Sequence, residues 1–258
     1  MTSQNTKLED LNVARAAKLD TATLSDALDK LGIIGQCYKI KPRDTDFRMA
    51  GRAWTLKYGP AGKPCGTVGD YIDDVAPGSV IVLDNNGRDD CTVWGDILTE
   101  IAHRRGIAGT VINGINRDTH LCLSLGYPIF SKDSWMRTGK DRVQVEATGI
   151  PVNIGEARVA PGDILKGDTD GVVVIPKEHE DEVLKVAEEI EAAENQIRAA
   201  HAAACVWTKR ANSSNTTSCK PGARNEQSQP GADHPHRRAP PERRAAGASA
   251  HPAHGHFA

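Results

Sequence analysis

The sequence has no apolar run of about 18 residues, the length that a membrane-spanning helix requires. Its first residues, MTSQNTKLED, are polar and no apolar stretch follows them, so we expect neither a signal peptide nor a membrane anchor. The six cysteines are scattered and form no C-x-x-C pair. This spacing argues against a disulfide framework and against a zinc knuckle, and it favours a reduced, cytoplasmic setting.

Aromatic residues make up only 4% of the 258 residues. Residues 206–258 are basic, with eight Lys and Arg against three Asp and Glu, and hold six of the 14 prolines. The rest of the chain is acidic, which argues against nucleic acid as the partner. We therefore predict an N-terminal extension at 1–18, an α/β domain at 19–205 and a disordered basic tail at 206–258.

Several nucleotide and hydrolase signatures are also missing. No G-x-G-x-x-G follows the first strand-like segments, and neither a P-loop nor a G-x-S-x-G elbow occurs. The pattern does not repeat as eight βα units, which argues against a TIM barrel. These absences exclude the commonest cofactor-binding α/β classes.

The patterns that are present predict a mixed α/β domain. A helix is expected over 19–32, capped by Thr21 and ended by Gly32. Further helices are predicted at 95–105, 117–125 and 180–200, the last as a closing amphipathic helix. Strands are predicted at 51–57, 79–84, 108–112, 127–130, 142–147, 151–154, 163–167 and 171–175.

The most informative stretch contains Asp96 and then, after twenty residues, the pair Arg117-Asp118. It places two helix starts, near Gly95 and Arg117, each at the exit of a strand. Free main-chain N–H groups at a helix start bind anions, and an arginine grips a carboxylate with two hydrogen bonds. An aspartate is a hard oxygen ligand suited to Mg²⁺ or Mn²⁺. The set suits a small 2-oxo acid.

Each residue also has a purely structural interpretation. Arg117 and Asp118 can form a helix cap and a surface ion pair, and Gly95 can serve a tight turn. Asp96 in a first helical turn is favourable for the helix dipole without any ligand. The order and spacing of the residues, rather than any one of them, favour a site.

Several blocks in this order resemble one family. They are TATLSDALDKLG, GDILTEIAHRRGIAGTVINGINRD, LGYPIFS and GDTDGVVVIP, spread over roughly residues 19–200. The chain resembles class II pyruvate aldolases of the 4-hydroxy-4-methyl-2-oxoglutarate / 4-carboxy-4-hydroxy-2-oxoadipate aldolase type. The same family includes the regulator of ribonuclease activity A.

The resemblance implies a swivelling β/β/α fold and a homotrimer, or a hexamer built as a dimer of trimers, with active sites between subunits. It also implies residue roles. The main-chain amides of Gly95, Asp96, Ile97 and Leu98 and the side chain of Arg117 would hold the substrate. Asp118 would bind a divalent metal cation, Mg²⁺ or Mn²⁺, and Asp96 would order metal-bound water.

The chain departs from the family pattern at two positions. Many relatives carry an acidic residue three positions after the metal-binding aspartate, where this chain has Leu121, preceded by His120. Relatives often read V-D-G before the Arg-Asp pair, and here Asn113 replaces that aspartate. Both changes remove negative charge from the neighbourhood of the expected metal.

We expect a metal-dependent lyase that cleaves 4-hydroxy-2-oxo acids to pyruvate by a retro-aldol reaction and also decarboxylates oxaloacetate, both through a metal-bound pyruvate enolate. The main alternative is a non-catalytic, ribonuclease-binding regulator of the same fold. A methyltransferase acting on a quinone precursor is disfavoured, because the chain lacks a glycine-rich nucleotide loop.

The tail provides the first prediction. Residues 206–258 lack apolar periodicity, so they bury too little surface to offset a backbone entropy of about 1–2 kcal/mol per residue. Truncation after Ala204 should leave the melting temperature, oligomeric state and activity nearly unchanged. A truncated protein that melts several degrees lower at low salt would show instead that the tail docks on the acidic domain by charge attraction.

Overall fold

The computed structural model describes residues 10–213, with side chains as far as residue 202. The chain divides into two compact units, Met1–Arg210 and Ala211–Ala258. Of the second unit, the structure describes only the helical residues 211–213. The predicted tail therefore lies outside the described residues from position 214 onward.

The described chain alternates helices and strands, as the sequence predicted. The helices are Leu11–Lys18 (α1), Thr21–Leu31 (α2), Asp96–Arg104 (α3), Thr119–Leu125 (α4) and Glu180–Ser213 (α5), with 3₁₀ turns at Ile72–Asp74 and Lys177–His179. The strands are Lys41–Pro42 (β1), Met49–Pro60 (β2), Ser79–Asp84 (β3), Gly109–Asn116 (β4), Ile129–Ser134 (β5), Val143–Thr148 (β6), Val152–Ile154 (β7), Ala157–Val159 (β8), Ile164–Asp168 (β9) and Gly171–Ile175 (β10). The sequence patterns had not identified α1, β1 or β8, and α5 is longer than the predicted 180–200.

One sheet has the strand order β1-β5-β4-β3-β2-β9-β10, with β6 also pairing with β2, and β7 and β8 form a separate pair. Strands β2, β3, β4 and β5 are parallel to one another. The central strands β3 and β4 are buried along nearly all of their length. A strand covered on both faces needs apolar side chains throughout, which explains the continuous run SVIVLD.

The buried apolar side chains form two hydrophobic clusters. The larger one contains most buried side chains of β2 to β5, including Trp94, whose ring stacks on Tyr127 with centroids 6.2 Å apart. The smaller one joins α1, α2 and α5 to β9 and β10. None of the helices described between residues 10 and 213 is long and apolar enough to cross a membrane.

The start of α2 differs from the prediction. Asp20, rather than Thr21, caps the helix, since its carboxylate accepts the main-chain N–H of Thr23 at 2.7 Å. Thr21 instead donates its main-chain N–H and its hydroxyl to Asp168, at 2.8 and 2.6 Å. The sequence alone does not show this, because Asp168 comes from a distant strand. Gly32 ends α2 in the left-handed region at φ 69°, as predicted.

The N-terminal helix is tied to the body by ion pairs. Arg52 on β2 pairs with Asp10, just before α1, at 2.7 Å, and with Glu180 at the start of α5. Arg15 on α1 pairs with Glu188 on α5 at 2.7 Å. Residues 10–18, assigned from the sequence to an extension, therefore form a helix that packs against β2 and α5.

Asp168 provides a stability prediction. Burial alone would raise its pKa, but the hydrogen bonds from Thr21 and from the main chain of Asp170 hold the pKa below its ordinary 3.8. A depressed pKa stabilises the fold above the unfolded-state value, and this stabilisation is lost as the pH falls through the folded-state value. Asp168→Asn should therefore cost about 2 kcal/mol at pH 7 and progressively less below about pH 4. Urea unfolding across pH would measure this, with the exposed Asp170→Asn as the control expected to change little. An equal loss at pH 3 and pH 7 would contradict the assignment.

Candidate active site

The carboxyl edge of the parallel strands brings two helix starts together. The loop after β3 leads to Gly95 and α3, and β4 runs directly into Arg117 and Asp118 before α4. The Asp118 carboxylate accepts the main-chain N–H of Asp96 at 3.2 Å and lies 3.3 Å from the Arg117 Nε. The structure thus places the three predicted side-chain positions, Asp96, Arg117 and Asp118, at one point.

Gly95 makes this approach sterically feasible. A Cβ at residue 95 would lie 2.9 Å from the Asp118 Oδ2 and 3.2 Å from the Arg117 Nε, so an alanine here would displace the Asp118 carboxylate and crowd the Arg117 side chain. The backbone of Gly95 is extended, with φ −147°, so no unusual turn demands a glycine here. The glycine leaves space for the Asp118 and Arg117 side chains. The alternative interpretation, that Gly95 only serves a tight turn, does not explain the glycine.

Asp118 adopts an uncommon backbone conformation. Its φ of 56° and ψ of 38° lie in the left-handed region, which aspartate tolerates better than most residues. It occupies the cap position of α4 without capping that helix, because its side chain turns toward α3. The buried Asn116 supports the turn by donating to the Thr119 hydroxyl at 3.1 Å and accepting from Ser131 at 2.8 Å.

The start of α3 already carries two carboxylates. Asp118 accepts the Asp96 N–H, and the Asp96 carboxylate accepts the Ile97 N–H at 2.8 Å. The Asp96 and Ile97 side chains are exposed, whereas Leu98 is half-buried. A substrate anion that binds the main-chain N–H groups of Asp96 or Ile97 would replace the carboxylate that now accepts that N–H. The start of α3 therefore already binds negatively charged groups.

Beside this point lies a cavity of about 520 Å³. Its lining includes five of the six predicted site residues, all but Asp118, together with a wall that the sequence reasoning had not identified. The lining residues are Val68, Gly69, Asp70, Ile72, Asp73, Thr92, Val93, Trp94, Gly95, Asp96, Ile97, Leu98, Ile101, Arg117, Thr138, Gly139 and Lys140. The residues from 68 to 73 come from a loop before β3, and no motif in that loop announces its position.

The residues present fit a magnesium-type ion. Within residues 10–213, no three His, Cys, Asp or Glu side chains gather into a metal-binding cluster. Mg²⁺ does not require one, because it usually binds one or two protein carboxylates and keeps several waters or substrate oxygens. Asp118, one-third exposed beside Asp96, offers such a carboxylate, and the absent Cβ of Gly95 keeps space next to it.

The remaining candidates lie outside the cavity lining. His120 is exposed on α4, and Leu121 is half-buried, with its main-chain N–H bonded to the Asp118 carbonyl at 3.1 Å. Cys91 and Cys122 are buried, and burial raises the pKa of both thiols, that of Cys122 to about 11. A thiol that stays protonated is a poor nucleophile, so both cysteines serve packing rather than catalysis.

Asn113 faces a carboxylate rather than the cavity. Its amide donates to the buried Asp84 at 2.8 Å and to the carbonyl of Asn153 at 3.1 Å. An aspartate at 113 would set two carboxylates against each other. The neutral amide is therefore explained by its contact with Asp84.

The comparisons agree with this architecture. The family model Aldolase/RraA (RraA-like) matches residues 21–174, and the chain belongs to this family. A structure from Pseudomonas syringae, of an uncharacterized protein, is 40% identical, covers 75% of this chain and 92% of its own, and has a TM-score of 0.70. Streptomyces coelicolor RraAS2, described as an unusual member of the RNase ES inhibitor RraA protein family, is 27% identical with a TM-score of 0.68, covering 74% of this chain and 96% of its own. The predicted swivelling β/β/α fold is confirmed.

Two further proteins are similar to this chain in sequence. Protein DlpA of Legionella pneumophila is 42% identical over 185 residues, which is 70% of this chain but only 30% of the Legionella protein. A Halalkalibacterium halodurans protein is 34% identical over 67% of this chain and 80% of its own length. Its name is "Putative 4-hydroxy-4-methyl-2-oxoglutarate aldolase".

The contact of Asn113 with Asp84 yields a prediction. In Asn113→Asp the new carboxylate meets Asp84 without a donor between them, so stability should fall by about 2 kcal/mol or more at pH 8. The repulsion raises one folded-state pKa, and the cost therefore grows as the pH rises through that value. Thermal unfolding at pH 4 and pH 8 would test this. Asn153→Asp is the matched control, since Asn153 contributes only its carbonyl and its side chain is exposed. A variant as stable as the parent at pH 8 would contradict the prediction.

Proposed function

We propose that the chain is a cytoplasmic, divalent-metal-dependent lyase that cleaves 4-hydroxy-2-oxo acids, of the 4-hydroxy-4-methyl-2-oxoglutarate type, to pyruvate. The observation that carries the proposal is the contact of Asp118 with Arg117 and with the start of α3, both of which line the cavity. Membership of the Aldolase/RraA family and the name of the Halalkalibacterium relative support it.

Arg117 would bind the substrate carboxylate. Its Nε faces Asp118, and its two terminal nitrogens carry the parallel donors that a bidentate grip needs. Binding through Arg117 would set the 2-oxo group of the substrate beside Asp118.

Asp118 would hold the cation, with Asp96 beside it. A bound Mg²⁺ or Mn²⁺ supplies a Lewis acid that stabilises negative charge on the 2-oxo oxygen. Asp96 has an exposed carboxylate at the cavity wall, where it would order a water that accepts the proton of the C4 hydroxyl. The half-buried Leu98 and the buried Trp94 line the same part of the cavity.

Two reactions share this arrangement. In the retro-aldol reaction the C3–C4 bond breaks, the C4 hydroxyl becomes a carbonyl after losing its proton, and the electron pair remains on the enolate of pyruvate. In oxaloacetate decarboxylation the same bond breaks, CO₂ leaves, and the same enolate accepts a proton at C3. A site that stabilises this enolate therefore serves both reactions, and we propose both activities.

We also propose that the protein is a homotrimer or hexamer with the site at a subunit interface. Trp135 and Met136 are 43% and 71% exposed, and the main-chain N–H of Trp135 bonds to Asn116, next to Arg117. Ile97, on the cavity wall, is 70% exposed. Large exposed apolar side chains around a site favour its coverage by another chain.

The alternative is a ribonuclease-binding regulator, which the likeness to RraAS2 favours. The two functions place different demands on residue 95. A binding surface elsewhere on the fold has no use for a glycine that lets Asp118 reach the start of α3. Gly95→Ala should abolish turnover in a lyase and leave binding to a ribonuclease unchanged in a regulator.

The decisive assay measures pyruvate release from 4-hydroxy-4-methyl-2-oxoglutarate and from oxaloacetate, with Mg²⁺, with Mn²⁺ and after chelation. We expect turnover with either metal, none after chelation, and none at any metal concentration in Asp118→Ala. Circular dichroism would verify that this variant remains folded. Wild-type turnover by Asp118→Ala would remove this residue from the metal site, and the absence of turnover on both substrates would refute the lyase function.

Arg117→Lys tests the carboxylate grip. Lysine keeps the charge but loses the planar fork, and with it one charge-assisted hydrogen bond of about 1.5–3 kcal/mol. The kcat/KM should fall at least tenfold. Arg104→Lys, on the exposed last turn of α3, is the matched control and should show the parent value. An unchanged kcat/KM in Arg117→Lys would place this residue outside the site.

A further inference from the structure

We infer that Lys140 binds the second carboxylate of the substrate, at the end opposite to the carboxylate that Arg117 would hold. The proposed substrate carries a carboxylate at each end, and Arg117 is assigned to only one of them. This inference rests on the proposed lyase function and adds to it a residue that determines specificity for dicarboxylic acids.

Lys140 and Arg117 flank one extended segment of the cavity lining. Thr92 in that segment pairs in parallel with Ile115 on one side and with Thr138 on the other. Arg117 and Lys140 each follow the paired residue of their own segment by two positions. Since neighbouring strands lie about 4.8 Å apart, the two flanking main chains are separated by about 10 Å there. Both side chains line the same cavity, so a substrate between them can meet a cation at each end.

Hydrogen bonds hold the turn that carries Lys140. Its main-chain N–H bonds to the Thr138 hydroxyl at 3.2 Å, and the Arg142 guanidinium donates to the carbonyls of Thr138 and Lys140 at 3.1 and 3.2 Å. Gly139 lies directly against the extended segment, because a Cβ there would be 2.4 Å from the Thr92 carbonyl oxygen. Only the flexible stem of the lysine therefore has to be ordered when a ligand binds.

The two cationic side chains of the lining differ in their partners. Arg117 lies 3.3 Å from a carboxylate of the site. Among the side chains described up to residue 202, the Lys140 ammonium forms no hydrogen bond and no ion pair. The nearby acidic residues do not take it, because Asp73 pairs with Arg105 at 3.2 Å and Asp70 forms no ion pair with Lys140. The ammonium is therefore free to pair with an anion that enters the cavity.

The surroundings decide how much this pair contributes. An ion pair in open solvent changes affinity by up to about fivefold, because water screens the charges. A charge-assisted hydrogen bond that is partly shielded from water contributes about tenfold or more. The buried Val93 and Trp94 line the cavity within the segment that Arg117 and Lys140 flank. A substrate held at both ends would thus lie partly on an apolar surface, so we expect a contribution of about tenfold.

Holding both ends also positions the bond that breaks. In 4-hydroxy-4-methyl-2-oxoglutarate the second carboxylate is attached to C4, next to the C3–C4 bond. When this bond breaks, that carboxylate stays on the newly formed 2-oxo acid, and the electron pair remains on the enolate of the other pyruvate. A substrate fixed at Arg117 and Lys140 keeps C4 at a defined place in the cavity, which favours reaction over a freely moving end.

Lys140→Met removes the ammonium and keeps the length of the side chain. The kcat/KM for 4-hydroxy-4-methyl-2-oxoglutarate should fall about tenfold. The kcat/KM for 4-hydroxy-2-oxopentanoate, which has no second carboxylate and yields pyruvate and acetaldehyde, should stay unchanged. Lys140→Arg keeps the charge and should restore most of the activity on the diacid. Lys132→Met is the matched control, because Lys132 is also exposed but does not line the cavity. Equal losses on both acids, or no loss on the diacid, would overturn the inference.

A binding measurement separates this inference from the lyase function. Calorimetry in the presence of Mg²⁺ would compare 2-oxoglutarate with 2-oxopentanoate, which have the same chain length, lack the hydroxyl and cannot be cleaved. The parent should bind the diacid about tenfold more tightly, and Lys140→Met should lose this preference while it binds the monoacid as before. A preference that is absent in the parent, or unchanged in the variant, would overturn the assignment of Lys140 and leave the lyase function intact. If no hydroxy acid is cleaved, the lyase function fails, and the calorimetric comparison still supports or overturns the assignment of Lys140.

Discussion

The contact between the Asp118 carboxylate and the first amide of α3 organises the whole site. It joins two helices that begin at neighbouring parallel strands, and it places Arg117 and Asp96 on either side of one carboxylate. The contact exists because residue 95 has no Cβ. A methyl group at residue 95 would displace the Asp118 carboxylate, which the proposed chemistry needs beside the start of α3.

Several polar groups around the site hold this geometry. Asp118 sits in the left-handed region and leaves its own helix without a side-chain cap. Asn116 compensates by bonding to Thr119, and Ser131 on the next strand fixes Asn116 in turn. Trp94, which lines the cavity and belongs to the core, stacks on Tyr127 and donates its indole N–H to the Thr99 hydroxyl. Such support keeps a site within the small tolerance that catalysis demands.

Negative charge remains near the start of α3, although two positions that are often acidic in relatives are neutral in this chain. The two departures from the family pattern, Asn113 and Leu121, suggested a weaker metal site. The structure gives Asn113 a separate role as a donor to the buried Asp84. Leu121 is held in the first turn of α4 through its main chain, and the Asp118 carboxylate still accepts the main-chain N–H of Asp96 at the start of α3. In the metal site that we propose, Asp118 would supply the carboxylate ligand with Asp96 beside it, since Mg²⁺ usually keeps several waters.

The sequence by itself determined the local elements, because helix and strand periods, caps and stops depend on neighbouring residues. The runs at 79–84 and 95–105, and the helix ended by Gly32, are found nearly as predicted. The order of motifs indicated the family and the residues of one end of the site. Only the tertiary structure decided what depends on distant partners. Thr21 does not cap its helix as predicted, because it bonds to Asp168, which lies 147 positions further along the chain. The loop at 68–73 forms the second wall of the cavity. No local pattern encodes these contacts, since they arise when the sheet brings remote segments within bonding distance.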